Sequence, residues 1–147
     1  GGSGATMGLV LMMAFVAKSE HLKTLGRVAL PTSIFNINEP IIFGTPMVMN
    51  ASLAIPFLLA PVVNFFSTSL VNQFGFAVLT GAMQNNYYPI GILGMFATGS
   101  WTGLIWSIIL IVIDAAIYYP FFKLYDAKKV KEENTIQSEE NIVDDLI

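Results

Sequence analysis

The stretch Ile34-Phe-Asn-Ile-Asn-Glu-Pro-Ile-Ile-Phe-Gly-Thr-Pro46 sets the terms for everything around it. Between Val28 and Phe122 there is no Lys, Arg or His and there are only two acids, one of which, Glu39, sits inside this stretch. A carboxylate in so apolar a run must be protonated or supplied with donors, because a charged, unpaired group in hydrocarbon costs roughly several kcal/mol. Asn36, Asn38 and Pro40 flank it. An acid in that setting is a functional candidate from the outset.

Prolines carry the argument outward. Five of the seven, at 31, 40, 46, 56 and 61, crowd into one section of the chain. Each interior proline removes a backbone donor and disfavours helix at the residue before it. In lipid, broken backbone persists only where protein or a watery cavity surrounds it. Pro31 to Pro46 is therefore expected to form a re-entrant hairpin that enters from the cytoplasm, of the kind by which transporters bring backbone groups to a midplane site.

The composition agrees with a membrane setting: 54% hydrophobic, 12% charged, with a mean hydropathy of +0.66. The net charge of −3 is uninformative about partners because the charges are segregated, between Lys18 and Arg27 and after Phe122. No basic patch interleaves with aromatics, so nucleic acid is not an expected partner. With no Cys and a single His, disulfides, thiolate chemistry and a His-rich metal site drop out, and no cofactor is expected.

Residues 5–17 are apolar but too short for the ~20 residues of a full span, and read as the end of a transmembrane helix. The chain opens without Met on Gly1-Gly-Ser-Gly-Ala-Thr6, straight into that run, and we read it as the interior of a longer protein. Lys18, Lys23 and Arg27 follow and place the next loop in the cytoplasm by the positive-inside bias. Leu22, Leu25 and Val28 recur there at helical spacing, which predicts a short interfacial amphipathic helix. His21 is read as a solvated interfacial side chain rather than a proton carrier.

Met47 to Val71 supplies a span, with Asn50 and Asn64 among its polar members. Phe76 to Thr98 is interrupted by Gln84-Asn-Asn-Tyr-Tyr-Pro89 and several glycines, and is read as a second re-entrant tip; the alternative is an exposed loop between two short helices. Trp101 to Phe122 is the clearest span, with aromatics at both ends. Lys123, Lys128, Lys129 and Lys131 return its end to the cytoplasm, so the chain between Arg27 and Lys123 crosses an even number of times. Asp114, the second buried acid, is read as a hydrogen-bond anchor for a neighbouring helix or hairpin, with a proton or a substrate hydroxyl as the alternative. The fold class is thus all-α and integral to the membrane, with residues 1–125 as a substrate-binding unit. The polar tail, 126–147, is expected to be disordered or at most a transient helix.

The candidate binding groups are Asn36, Asn38, Glu39, Asn85, Asn86, Tyr87 and Tyr88, supported by Gln84 and Thr45. Carboxamides, a carboxylate and aromatic rings suit a neutral polyhydroxylated ligand, and the lack of a cation suits an anion poorly. A glycosidase pair of Glu39 and Asp114 is rejected, since hydrolysis needs a watery cleft. Proton-coupled secondary transport fits the same buried acids and broken helices.

Gly1-Gly-Ser-Gly-Ala-Thr6, Ala17-Lys-Ser19, Phe35-Asn-Ile-Asn-Glu-Pro-Ile-Ile-Phe-Gly44 with Pro46, and Ala97-Thr-Gly99 closely resemble the C-terminal half of the IIC sugar permease subunit of bacterial lactose, cellobiose and diacetylchitobiose phosphotransferase systems. The resemblance covers most of residues 1–125. It implies a multi-pass inner-membrane permease, homodimeric in its complete form, that binds a disaccharide and presents a hydroxyl to a phosphorylated IIB subunit. The phosphoryl-bearing Cys belongs to that subunit. It also implies that Glu39 sits at the sugar, near the hydroxyl that receives the phosphoryl group. Two features depart from the family pattern. Asn85-Asn86-Tyr87-Tyr88-Pro89 stands where a Trp-containing tip is usual, and the family's sugar-side His is expected upstream of residue 1, His21 not being it.

Overall fold

The computed structural model describes residues 2–78, 80 and 87–147. These residues form six helices, and no strand occurs among them: α1 (Met7–Phe15), α2 (Glu20–Ile34), α3 (Glu39–Gly44), α4 (Ala51–Gln73), α5 (Ile92–Thr98) and α6 (Trp101–Leu146). The all-α expectation holds. Two helices, α4 and α6, are long and apolar enough to cross a membrane.

α1 is the core. Met7, Gly8, Leu9, Val10, Met12, Met13 and Ala14 are all buried, because α2 lies against one side of the helix and α6 against another. The stretch read as the end of a transmembrane helix is thus shielded by protein along nearly its whole length. The close crossings are made by glycine. A Cβ on Gly8 would stand 2.5 Å from the Ala115 nitrogen of α6, and one on Gly26 2.5 Å from the Ala14 nitrogen of α1.

α2 runs from a Ser19 cap, whose hydroxyl accepts from the Leu22 amide at 3.2 Å, through Pro31 to Ile34. Its buried residues Leu22, Gly26, Ala29 and Ser33 follow the spacing of one helical face. Pro31 therefore lies within α2, near its end at Ile34. The breaks fall later, at 35–38 and 45–50, where Asn38 precedes α3 and Pro40 occupies its first turn, a position in which the missing donor costs nothing.

α4 passes through Pro56 and Pro61 without interruption. It turns Ile55, Leu58, Val62, Phe65, Phe66 and Leu70 outward, as a lipid-facing or protein-covered surface requires. α5 crosses α6 at a glycine pair, a Cβ on Gly94 falling 2.5 Å from the Gly103 carbonyl oxygen.

α6 departs most from the sequence reading. Where the tail predicts disorder or a transient helix, the helix continues unbroken to Leu146. At 1.5 Å per residue its 46 residues extend about 69 Å, over twice the ~30 Å hydrocarbon core, so its latter part projects well beyond any bilayer. The reason is that its middle is anchored. Asp126 accepts the amides of Lys18 at 3.0 Å and Ser19 at 2.9 Å. Two turns on, Glu133 accepts the Ser19 hydroxyl at 2.6 Å and the His21 amide at 3.0 Å. An anchored helix propagates at one new hydrogen bond per added residue, without a fresh nucleation cost.

Those two carboxylates cap the start of α2 from a different helix, satisfying amides that every helix N-terminus leaves open. Glu133 lies past the apolar 101–122 part of α6, and the Ser19 hydroxyl, followed by the His21 and Glu20 amides, holds its carboxyl below the usual carboxylate range. Asp126→Ala removes the acceptor of two main-chain amides and is expected to cost about 2–3 kcal/mol. The loss should show as a lowered thermal midpoint in detergent, and an unchanged midpoint would refute the capping role.

Candidate functional site

The loop between α2 and α3 is held by its asparagines. Asn38 is buried, and its Nδ2 donates to the Ser3 carbonyl at 2.5 Å and to Thr6 Oγ1 at 3.0 Å. This ties the Asn-Glu-Pro segment to the glycine-rich turn before α1. That turn needs left-handed backbone: Gly2 has φ 69°, Gly4 78° and Ala5 52°. Glycine adopts such angles freely, whereas Ala does so uncommonly. The turn is held in place from α6, where the buried Tyr118 hydroxyl donates to the Gly4 carbonyl at 2.6 Å.

Asn36 is itself left-handed, with φ 63°, a conformation asparagine tolerates. Its Nδ2 donates to the Tyr88 carbonyl at 3.0 Å, and the Ile90 amide donates to the Ile34 carbonyl at 2.9 Å. The segment 87–90 thus docks on the loop before Glu39. Asn36 and Tyr88, predicted as parts of one site from positions far apart in sequence, are brought together. Tyr87 and Tyr88 are 67% and 45% exposed, and the Tyr88 ring lies tilted on Phe96 with centroids 5.3 Å apart.

Glu39 opens α3, with its side chain exposed. Among the described residues it has no hydrogen-bond or ion-pair partner. An acid in a first helical turn is favoured by the helix dipole, and this one is free to accept from an incoming donor. Asn38, in contrast, spends its amide on holding the loop, so its role is to position Glu39. Asn85 and Asn86 lie outside the described residues, as does Gln84. Thr45 bonds its own helix, Oγ1 to the Ile41 carbonyl at 2.7 Å.

Asn64 and Asp114 form a polar contact between the two long helices, with Asn64 Nδ2 donating to Asp114 Oδ1 at 2.8 Å. The anchoring role read for Asp114 agrees with this bond. One turn of α4 away, the Trp106 indole donates to Thr68 Oγ1 at 3.0 Å. Sequence reading noted Asn64 only as a polar member of a span, and it passed over Asp126 and Glu133 altogether. Nothing local to the Ser19-Glu20 start of α2 marks carboxylates more than a hundred residues away as its partners.

The family model described as "Phosphotransferase system, EIIC" matches residues 1–61, which include the glycine-rich turn, α1, α2 and the Asn-Glu-Pro loop. Over these residues the chain matches the EIIC family model. It is 40% identical to the lichenan permease IIC component of Bacillus subtilis over 93% of the chain and 31% of that relative. It is 36% identical to the lactose-specific EIICB component of Staphylococcus epidermidis over 90% of the chain and 23% of that relative. The solved structure of ChbC, the IIC component of an N,N'-diacetylchitobiose-specific phosphotransferase system, superposes with a TM-score of 0.86 at 39% identity, covering 90% of this chain and 31% of ChbC. The chain thus spans about a third or less of the EIIC relatives it matches. EIIC permeases are membrane proteins, in keeping with the two candidate spans.

Proposed function

We propose that this chain is the sugar-contacting part of a permease that carries a disaccharide across the bacterial inner membrane and presents it to a phosphorylated IIB subunit. The observation that carries this reading is Glu39: a carboxylate at the start of α3 with no partner among the described residues, on a loop that Asn38 ties to the glycine-rich turn and Asn36 to Tyr88. In the proposed mechanism Glu39 accepts a hydrogen bond from the sugar hydroxyl and orients it, drawing off its proton as the phosphoryl group arrives. The exposed Tyr87 and Tyr88 offer ring faces for a pyranose, Asn36 stands beside them, Asn38 fixes the loop from behind, and Asn85 and Asn86 are counted as further sugar-binding groups by residue type alone.

In this reading 31–46 and 76–98 are re-entrant hairpins, α2 lies at the cytoplasmic interface, and the complete permease is a homodimer. The bond from Asp126 to the Lys18 and Ser19 amides supports one side for both lysine-bearing regions. The helix beyond residue 125 then projects into the cytoplasm, where IIB operates. Glu39 does its work without a cofactor or metal.

The test uses the complete permease in proteoliposomes with cellobiose, lactose and diacetylchitobiose. Phosphorylated sugar should accumulate when phosphorylated IIB is supplied, and an imposed proton gradient should have no effect. Uptake of unmodified sugar driven by the gradient would instead favour proton-coupled secondary transport through Glu39 and Asp114.

A further inference from the structure

Tyr118 of α6 carries a hydroxyl that packing alone does not require. Tyr118 is 0% exposed, and Phe122, one turn later on the same helix face, is 1% exposed. The core thus accepts a bare phenyl ring at one of these positions and a phenol at the other. A buried phenol needs a hydrogen-bond partner, and this one donates to the buried Gly4 carbonyl at 2.6 Å.

The turn that contains Gly4 is wedged between three neighbours. A Cβ on Gly4 would run into the Phe57 ring of α4, and one on Gly2 would stand 2.7 Å from the Asn36 carbonyl oxygen and from the Asn38 side chain. Its left-handed residues Gly2, Gly4 and Ala5 leave it few other shapes. Successive carbonyls face opposite partners: that of Gly4 meets Tyr118, and that of Ser3 accepts from Asn38 Nδ2.

From Asn38 the tie reaches Glu39 directly. Asn38 Nδ2 also donates to Thr6 Oγ1, while the Asn38 carbonyl accepts the Ile41 and Ile42 amides of α3 at 3.0 and 3.1 Å. Asn38 is therefore fastened twice, its side chain to the turn and its backbone to the helix that Glu39 opens. Without the Tyr118 hydroxyl the Gly4 carbonyl would be buried and lack its donor. Buried acceptors are nearly always satisfied, so that peptide would rotate towards another donor and carry the adjoining Ser3 carbonyl with it. Asn38 would follow, and the start of α3 with it. A misplacement of about 1 Å can cost a reaction on the order of a hundredfold in rate.

We infer that Tyr118 is a positioning residue: from α6, through the glycine-rich turn and Asn38, it sets the angle at which the Glu39 carboxylate meets the sugar hydroxyl. The inference rests on the role of Glu39 proposed above.

The test compares Tyr118→Phe with Phe122→Leu in the complete permease, in proteoliposomes supplied with phosphorylated IIB and with cellobiose, lactose or diacetylchitobiose. Binding sites are counted by calorimetry, so that turnover is expressed per folded, sugar-binding site. Tyr118→Phe should lower turnover per site by about tenfold to a hundredfold while the sugar KM changes by less than about threefold, as when an interaction serves the transition state alone. Phe122→Leu thins the same packed face without removing a hydrogen bond. It should lower the thermal midpoint and leave turnover per site at the wild-type value. In an Asn38→Ala background Tyr118→Phe should lower turnover no further, since both changes cut one tie. An undiminished second loss there overturns the relay. Equal losses in Tyr118→Phe and Phe122→Leu, or wild-type turnover in Tyr118→Phe beside an inactive Glu39→Gln, overturn the positioning role and leave the proposed function intact. Wild-type turnover in Glu39→Gln, or wild-type protein that forms no phosphorylated sugar, overturns both.

Discussion

Glu39→Gln should abolish phosphorylation-coupled uptake while the protein folds as before. The carboxylate is exposed and has no partner among the described residues, so no internal contact is lost when it is neutralised. Glutamine has nearly the same shape, and the helix-dipole contribution at stake is only about 0.3–1 kcal/mol. Function should respond quite differently. A glutamine oxygen still accepts a hydrogen bond, but it cannot take up a proton as the hydroxyl becomes a nucleophile. Positioned acid–base groups contribute roughly 10²–10⁴-fold, and the formation of phosphorylated sugar in vesicles should fall by at least the lower figure. The thermal midpoint should stay within about a degree or two of wild type, given the small dipole contribution. Uptake at the wild-type rate would remove Glu39 from the mechanism. A collapse in midpoint would show that the residue is structural.

Gly26→Val should have the largest effect on stability. A Cβ there would lie 2.5 Å from the Ala14 nitrogen and 2.7 Å from the Met13 carbonyl carbon and Cβ. Two of those three atoms are main chain of α1, which no rotamer change can move aside. The helices must separate, and α1 cannot retreat because Gly8 already brings it against the backbone of α6 at Ala115. Leu9, Val10 and Ala14, each 0% exposed, would lose contacts along the crossing. Overpacking of this kind costs roughly 1–3 kcal/mol, occasionally more, and the upper end is expected where backbone must give. The measurement is the thermal midpoint and monodispersity of purified protein. A fully folded variant with an unaltered midpoint would mean that α1 and α2 do not cross as closely as described.

Much of this architecture was legible in the residues. Long apolar runs at 47–71 and 101–122 gave helices because lipid-compatible backbone must satisfy itself. Asn36 and Tyr88 were both suspected from residue type, and the hydrogen bond between them joins loops that lie fifty-two positions apart. Pro31 misled as the start of a break, since α2 runs on to Ile34, whereas Pro56 and Pro61 lie inside α4, within the single span read from 47–71. The tail misled for a related reason: its polarity argues against a packed face, yet its helix needs none once Asp126 and Glu133 have fixed its preceding turns.

The sequence by itself determined the helical class, the segregation of charge to two regions, and the isolation of Glu39 within an apolar stretch. These follow from composition and spacing along the chain, which local physics can read. Only the tertiary structure decided that Asn38 holds the glycine-rich turn, that Asp126 and Glu133 cap α2, and that Asn64 of α4 donates to Asp114 of α6. A polar side chain carries no local mark of its partner. Which donor meets which acceptor depends on how closely helices cross, and here glycines at 8, 26, 94 and 103 set those distances.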